Sequence, residues 1–293
     1  MEILGQGGTL LKKLFAHALI AVMLFAVGML AVLPVLILFS GSITGEAELY
    51  GWIAPILGGQ EGFVRLRLCP DYPTLRNFVE LLLDSPEFFQ MFWNTQRISV
   101  ETLAGGLLFG VPCAWGLAQY RFPGRKAILW CYILLMIMPF QVTMLSEYLV
   151  LKKFGLLDTL AAVILPGIFQ TLPVFVMYRF FSSVPNALLE AARIDGAGEL
   201  GIFLKVGVPV GSSGIFSAMM LQFLECQSMV ERPLIFLKNK QLWPLALYLP
   251  EISPERAGFA MCASFVAMLP VLLLFFSGQE YLEAGIVASA IKE

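Results

Sequence analysis

An all-α polytopic membrane protein is the fold class this sequence predicts, on three observations. Apolar residues fill 58% of 293 positions, charged residues only 14%, and the apolar positions gather into long blocks with a mean hydropathy of +0.80. A spanning helix takes roughly 20 mainly apolar residues. Six stretches qualify: Leu14 to Phe39, Ile98 to Ala118, Ala127 to Val150, Leu160 to Phe181, Val210 to Leu224, and Gly258 to Phe276. The spacing therefore predicts six transmembrane helices in one domain over residues 1–293.

The first block is too long for a signal-peptide core and has no small-residue cleavage site after it, so it is expected to remain as a span. The second carries Gly105, Gly106, Gly110 and Gly116, and the fifth Gly211, Ser212, Ser213 and Gly214. Small residues at that density suit helices that pack closely inside a bundle. Pro112, Pro139 and Pro173 are expected to kink their helices. Residues 41–92 read as an external loop, with a short amphipathic helix around Leu75 to Leu83.

An even number of spans puts both termini on one side. Lys and Arg divide nine against nine between the two sides, with Arg97 at a span, but Arg121, Arg125 and Lys126 share one very short loop. Dense charge in a short loop marks the cytoplasmic side, so residues 1–13 form a cytoplasmic tail and both ends are expected inside.

The net charge of -2 supplies no basic surface for nucleic acid. Five scattered cysteines and a single histidine, His17, supply neither a metal-ligand constellation nor a nucleophile with its base, so no metal, cofactor or catalytic group is expected. No G-x-x-x-x-G-K-[ST] phosphate cradle occurs. Gly196-Ala-Gly198-Glu-Leu-Gly201 has dinucleotide-binding spacing, but those glycines follow an alanine-rich helical segment where the fingerprint needs a strand. They read as turn residues.

Charge inside an apolar block costs roughly 2.5–3.5 kcal/mol at a helix centre and commonly faces a bundle interior. Glu101, Glu147 and Glu225 are such residues, with Gln141, Gln170 and Gln222 as uncharged companions. Each is a candidate for lining a polar pathway. For Glu101 an i,i+4 pair with Arg97 competes with that role, and for the glutamines a helix-to-helix hydrogen bond does.

The polar stretch Pro185 to Pro209, inside an interval of 183–209, reads as helix, turn, helix. Pro185 opens the first helix, Gly196 suits a left-handed position past its end, and Glu199 resumes the pattern. Ala187 and Ala191 put small side chains on one face.

This run, EAARIDGAGELGIFLKVGVP, resembles the EAA loop of permease subunits in binding-protein-dependent ABC importers, with Glu190, Ala191, Ala192, Gly196 and Pro209 in register. Tyr120 to Lys126, Lys153 to Thr159 and Pro233 to Leu237 extend the likeness to sugar permeases of the maltose-type second-subunit kind. The likeness runs from about Pro73 onward, and departs at Glu225 to Arg232 and in the tail from Ser277. It implies a cytoplasmic coupling helix between the fourth and fifth spans, with Glu190, Ala191, Ala192, Asp195 and Gly196 at the joint with an ATP-binding subunit. It also implies a second permease subunit, an extracytoplasmic solute-binding protein, a place in the bacterial inner membrane, and a sugar or oligosaccharide cargo. A non-sugar importer of the same class, or a self-contained secondary transporter, are the alternatives.

Overall fold

The computed structural model describes residues 3–57, 67–248 and 256–290, with side chains placed for 17–53, 55, 67–248 and 256–281. Residues 58–66 of the expected external loop, and Lys292 in the tail, lie outside the described residues. The described backbone is helical, with one isolated bridge between Thr44 and Pro73. Among the described residues four helices are long and apolar enough to cross a membrane: His17–Ser42, Pro86–Gln119, Ala161–Phe181 and Ala257–Tyr281. Six are reached if each of two sharply bent pairs is one span.

Contacts divide the chain into two compact units. The smaller comprises residues 1–85 and 249–267. In it α1 (Ile3–Ser42) starts well before the expected span and exposes its apolar side chains from Leu19 to Phe39. The expected loop is partly helical, with α2 (Glu46–Leu57) and α3 (Arg76–Asp84). Asn77 is buried and donates from Nδ2 to the Ser42 carbonyl at 3.0 Å, while Leu49 and Trp52 pack on Ala257.

The larger unit comprises 86–248 and 268–293. Here α4 (Pro86–Gly105) runs through a wide turn at Gly106–Gly110 into α5 (Val111–Gln119). Pro112 explains the turn. It has no N–H for the Leu108 carbonyl, and the backbone relaxes to a π-type bond in which Val111 N–H reaches the Gly106 carbonyl.

The expected third span breaks at Met138-Pro139 into α6 (Arg125–Ile137) and α7 (Phe140–Lys153), bent by 109°. Pro139 lies at the break, with extended backbone, so it ends one helix and caps the next instead of kinking a continuous one. The fourth is α8 (Ala161–Ile168) followed by α9 (Thr171–Phe181), with extended Gln170 between them. Pro173 sits in the first turn of α9, where its missing donor costs nothing.

After α9 come α10 (Asn186–Ile194) and α11 (Glu199–Ile202), then a second π-type turn at Phe203–Gly207 and α12 (Val208–Val210). Pro209 leaves the Lys205 carbonyl without a partner, as Pro112 does for Leu108, and Val208 N–H bonds the Phe203 carbonyl instead. A 71° bend then leads into α13 (Ser212–Ser228), which extends past Leu224 and reaches spanning length only together with the helical stretch before the bend. Short α14 (Glu231–Phe236) follows, and α15 (Ala257–Ala290) is the last described helix.

Glycines set the close approaches in this unit. A Cβ on Gly214 would strike the Phe180 side chain, and one on Gly167 would come within 2.9 Å of Thr102. The main core gathers Trp115, Met177, Phe181, Val184, Leu189 and Ile202, so the inner helices and the polar stretch after α9 share one buried cluster.

Candidate functional site

Two groups of residues carry the candidate chemistry. The first is the loop from Pro185 to Glu199. Pro185 is extended at the N-cap of α10, and Val184 before it and Leu189 four residues into the helix belong to the same buried cluster, as in a hydrophobic staple. At the other end Gly196 has φ +80°, its N–H donates to the Arg193 carbonyl at 3.0 Å, and Ala197 N–H donates to the Ala192 carbonyl at 3.0 Å. That pair of bonds around a left-handed glycine is a Schellman ending.

With the ends fixed, helical spacing decides which side chains show. Leu189 is 3% exposed, and Ala192, three residues on, packs beside it on the core. Ala191 faces outward, as do Ala187, Glu190 and Asp195. The outward surface also carries Leu188 at 46% exposure, Ile194 at 86% and, from α11, Leu200 at 70%. The alanine pair therefore splits: Ala191 belongs to the surface and Ala192 supports it from behind.

Glu199 ties this loop to the segment after α5. One carboxylate oxygen accepts from Arg193 Nε at 3.0 Å, the other from the Tyr120 hydroxyl at 2.9 Å. Burial and this bond to Glu199 push the Tyr120 phenol above its ordinary range, and the bond to Glu199 pushes the Arg193 guanidinium up likewise.

The second group assembles four of the six pathway candidates. Gln170 Nε2 donates to Glu225 Oε1 at 2.5 Å, and Gln141 Nε2 donates to Glu231 Oε1 at 2.8 Å. Arg232, its side chain only 15% exposed, lies 3.5 Å from Glu147 and 3.8 Å from Glu225. Those are ion-pair separations, longer than hydrogen bonds. The guanidinium also lies over the Phe140 ring, 5.2 Å from its centroid. Two helix breaks, at Pro139 and at Gln170, aim these polar groups at one place.

The other two candidates stand apart. Gln222 is buried and donates to the Gly167 carbonyl at 2.7 Å, a bond between helices. Glu101 accepts from Arg97 Nε at 2.7 Å, and both line an open cavity of about 650 Å³ with Asp158, Thr159 and Leu242.

Sequence reasoning passed over Arg232, which reads as one more loop charge, and Asp158. The latter has φ +61°, and its Oδ1 accepts from Lys238 N–H and Asn239 N–H, each at 2.8 Å, clamping the segment after α14. An Asp directly before Thr159 and closely following Gly155 was the available signal, since Asp tolerates the left-handed region better than most residues.

Three comparisons with known proteins bear on this arrangement. Residues 106–288 match the family described as binding-protein-dependent transport system inner membrane component. The arabinooligosaccharides transport system permease protein AraQ of Halalkalibacterium halodurans is 28% identical over 91% of this chain and 93% of that protein, and AraQ of Bacillus subtilis is 28% identical over 90% and 92%. Among solved structures, a bacterial ABC transporter involved in the import of the acidic polysaccharide alginate is similar with a TM-score of 0.74 and 22% identity, covering 90% of this chain and 95% of that one, a likeness of fold. The family match spans more than half of the chain, and the chain belongs to the family of binding-protein-dependent transport system inner membrane components, the permease subunits of ABC importers.

Proposed function

We propose that this permease crosses the bacterial inner membrane six times with both termini inside, that it forms half of a solute pathway with a second permease subunit, and that α10 is its coupling helix. In this reading each bent pair, Arg125–Ile137 with Phe140–Lys153 and Glu199–Val210 with Ser212–Ser228, is one broken span. The observation that carries it is the outward face of α10. Ala187, Leu188, Ala191 and Ile194 form an uncovered apolar surface, rimmed by Glu190 and Asp195 and held in place by the Gly196 turn.

Such a surface on a short, firmly anchored helix suits the groove of a partner. The partner is an ATP-binding subunit, because this chain has no phosphate cradle of its own. The small Ala187 and Ala191 side chains let the partner approach closely, and Glu190 and Asp195 offer carboxylates at the edge. Closure of the ATP-binding subunits then moves the spans, and solute enters from an extracytoplasmic binding protein.

The Arg232 cluster, with Gln141, Glu147, Gln170 and Glu225, lines the pathway. Its amides and carboxylates suit the hydroxyls of a sugar, and the likeness to the arabinooligosaccharide permeases AraQ favours an oligosaccharide. The test is uptake by the complete transporter carrying Gly196→Pro or Glu190→Lys. Uptake is expected to be lost while the subunit stays in the membrane with its partners; undiminished uptake would reject the coupling assignment.

A further inference from the structure

The loop and the spans above it are joined by a contact that the coupling surface itself does not need. Glu199 stands where three segments meet: it opens α11, it accepts from Arg193 in the last turn of α10, and it accepts from Tyr120 at the end of α5. Tyr120 and Glu199 are 79 residues apart, so this is a tertiary contact, and each carboxylate oxygen serves a different donor.

Behind the contact the same segments interlock. The Trp115 ring packs edge-on against Phe181, 5.3 Å between centroids, and lies 5.7 Å from Phe203. A Cβ on Gly207 would come within 2.6 Å of that indole. Gln119 Nε2 donates to the Phe181 carbonyl at 2.6 Å. The end of α5, the end of α9 and the start of the fifth span are therefore one packed block, with α10 fastened to its edge.

The block is bounded the same way on two sides. Gly110-Val111-Pro112 closes the wide turn of the second span, and Gly207-Val208-Pro209 closes that of the fifth. In both, the bond that would stiffen the helix is removed by proline, leaving a single π-type turn, the kind of local irregularity that helices carry where they bend.

We propose that Tyr120, Glu199 and Arg193 are positioning residues of the coupling step: they clip α10 to the inner ends of the second and fifth spans, so that the three move as one block about the two proline-closed π-turns. The proposal rests on α10 being the coupling helix. A hydrogen-bonded surface triad of this kind contributes little to folding. What it supplies is a fixed distance between the element that is pushed and the spans that must respond.

The experiment uses the complete transporter in lipid, with ATP and vanadate as the probe. Spin labels at Ala187→Cys and Arg121→Cys, in a chain whose five native cysteines are replaced by alanine, report the separation of α10 from the end of the second span. In the otherwise native protein one narrow distance is expected, identical in the resting and vanadate-trapped states. With Tyr120→Phe, Glu199→Gln or both, the trapped state is expected to show a shifted or broadened distance. Stimulation of ATP hydrolysis by the binding protein should fall about fivefold, a size typical of residues that modulate coupling. The double variant should fall by less than the two single variants combined, because Tyr120 and Glu199 share one contact. Arg193→Lys should retain more stimulation than Arg193→Ala.

A native distance that changes on trapping, or variant distances and stimulation that stay native, would overturn the clip. A further label at Leu188→Cys separates the two readings. If α10 is the coupling helix, vanadate trapping immobilises that label against the ATP-binding subunit in native and clip-variant backgrounds alike. A label that stays mobile in both rejects the coupling assignment, and the clip falls with it.

Discussion

The α10 loop and the Arg232 cluster are both islands of polarity in an apolar chain, and they are built on opposite terms. The loop is local: 15 consecutive residues, Pro185 to Glu199, capped by a staple at one end and a left-handed glycine at the other, with its charges in the open. The cluster is dispersed: Phe140, Gln141, Glu147, Gln170, Glu225, Glu231 and Arg232 come from four segments and meet at two helix breaks around a largely buried Arg232 and Glu147. The loop keeps its shape through its backbone, the cluster through mutual compensation of charge. Substitution should therefore hurt the loop through conformation and the cluster through electrostatics.

The largest effect is expected at Arg232. Arg232→Ala leaves Glu147 and Glu225 without a cation, and removing one partner from a buried pair costs up to 3–5 kcal/mol; with Glu225 half exposed, about 2–3 kcal/mol applies. Thermal unfolding of the assembled transporter should show the loss, and Arg232→Lys should recover part of it. If Arg232→Ala unfolds like the native protein, the cluster is not held by charge.

Gly196→Val comes next, at about 1–2 kcal/mol for forcing a Cβ into the left-handed region. Gly196→Asn should cost less. Faster proteolysis of the 183–209 interval in inside-out vesicles would report the difference, and equal cleavage of Val and Asn variants would argue against a conformational origin.

Asp158→Ala removes the acceptor for two backbone N–H groups at a strained position and should cost about 1–2 kcal/mol. The Lys238 and Asn239 amides should then exchange faster with solvent, while Asp158→Asn keeps most of the protection. The smallest effect is expected from Arg97→Gln, which breaks an exposed i,i+4 pair worth about 0.3–0.5 kcal/mol. A larger loss there would give the Arg97–Glu101 pair a role beyond its helix.

The same contrast explains what could be read from the sequence. The loop's turn and both its helices were legible because fixed spacing along the chain encodes them: Pro185, then Gly196, then Glu199. Even there the alanine pair needed one more step. Ala192 lies three residues after buried Leu189 and shares its face, whereas Ala187, Ala191 and Ile194 lie on the other. Four of the six apolar blocks were legible as helices of spanning length, whereas the third and fifth are broken into bent pairs. Pro139 reads equally as a kink or a stop, and no local pattern reports the 109° angle between the two helices it separates.

Glu147, Gln170 and Glu225 could be picked out singly as costly residues in apolar surroundings. Nothing in the sequence says that they share Arg232, because that depends on where a bend places Phe140 and where α14 returns. One local signal was present and informative, the repeated Gly-Val-Pro at 110–112 and 207–209, which marks both π-type turns.

The coupling assignment is tested most directly by Ile194→Cys in the complete transporter with the five native cysteines of this chain replaced by alanine, since Ile194 is the most exposed apolar residue of α10. A short bifunctional thiol reagent is expected to join this position to the ATP-binding subunit, and an impermeant thiol reagent outside intact cells should not reach it. Labelling from outside, with no product joined to the ATP-binding subunit, would contradict both the cytoplasmic placement of α10 and its role as the joint.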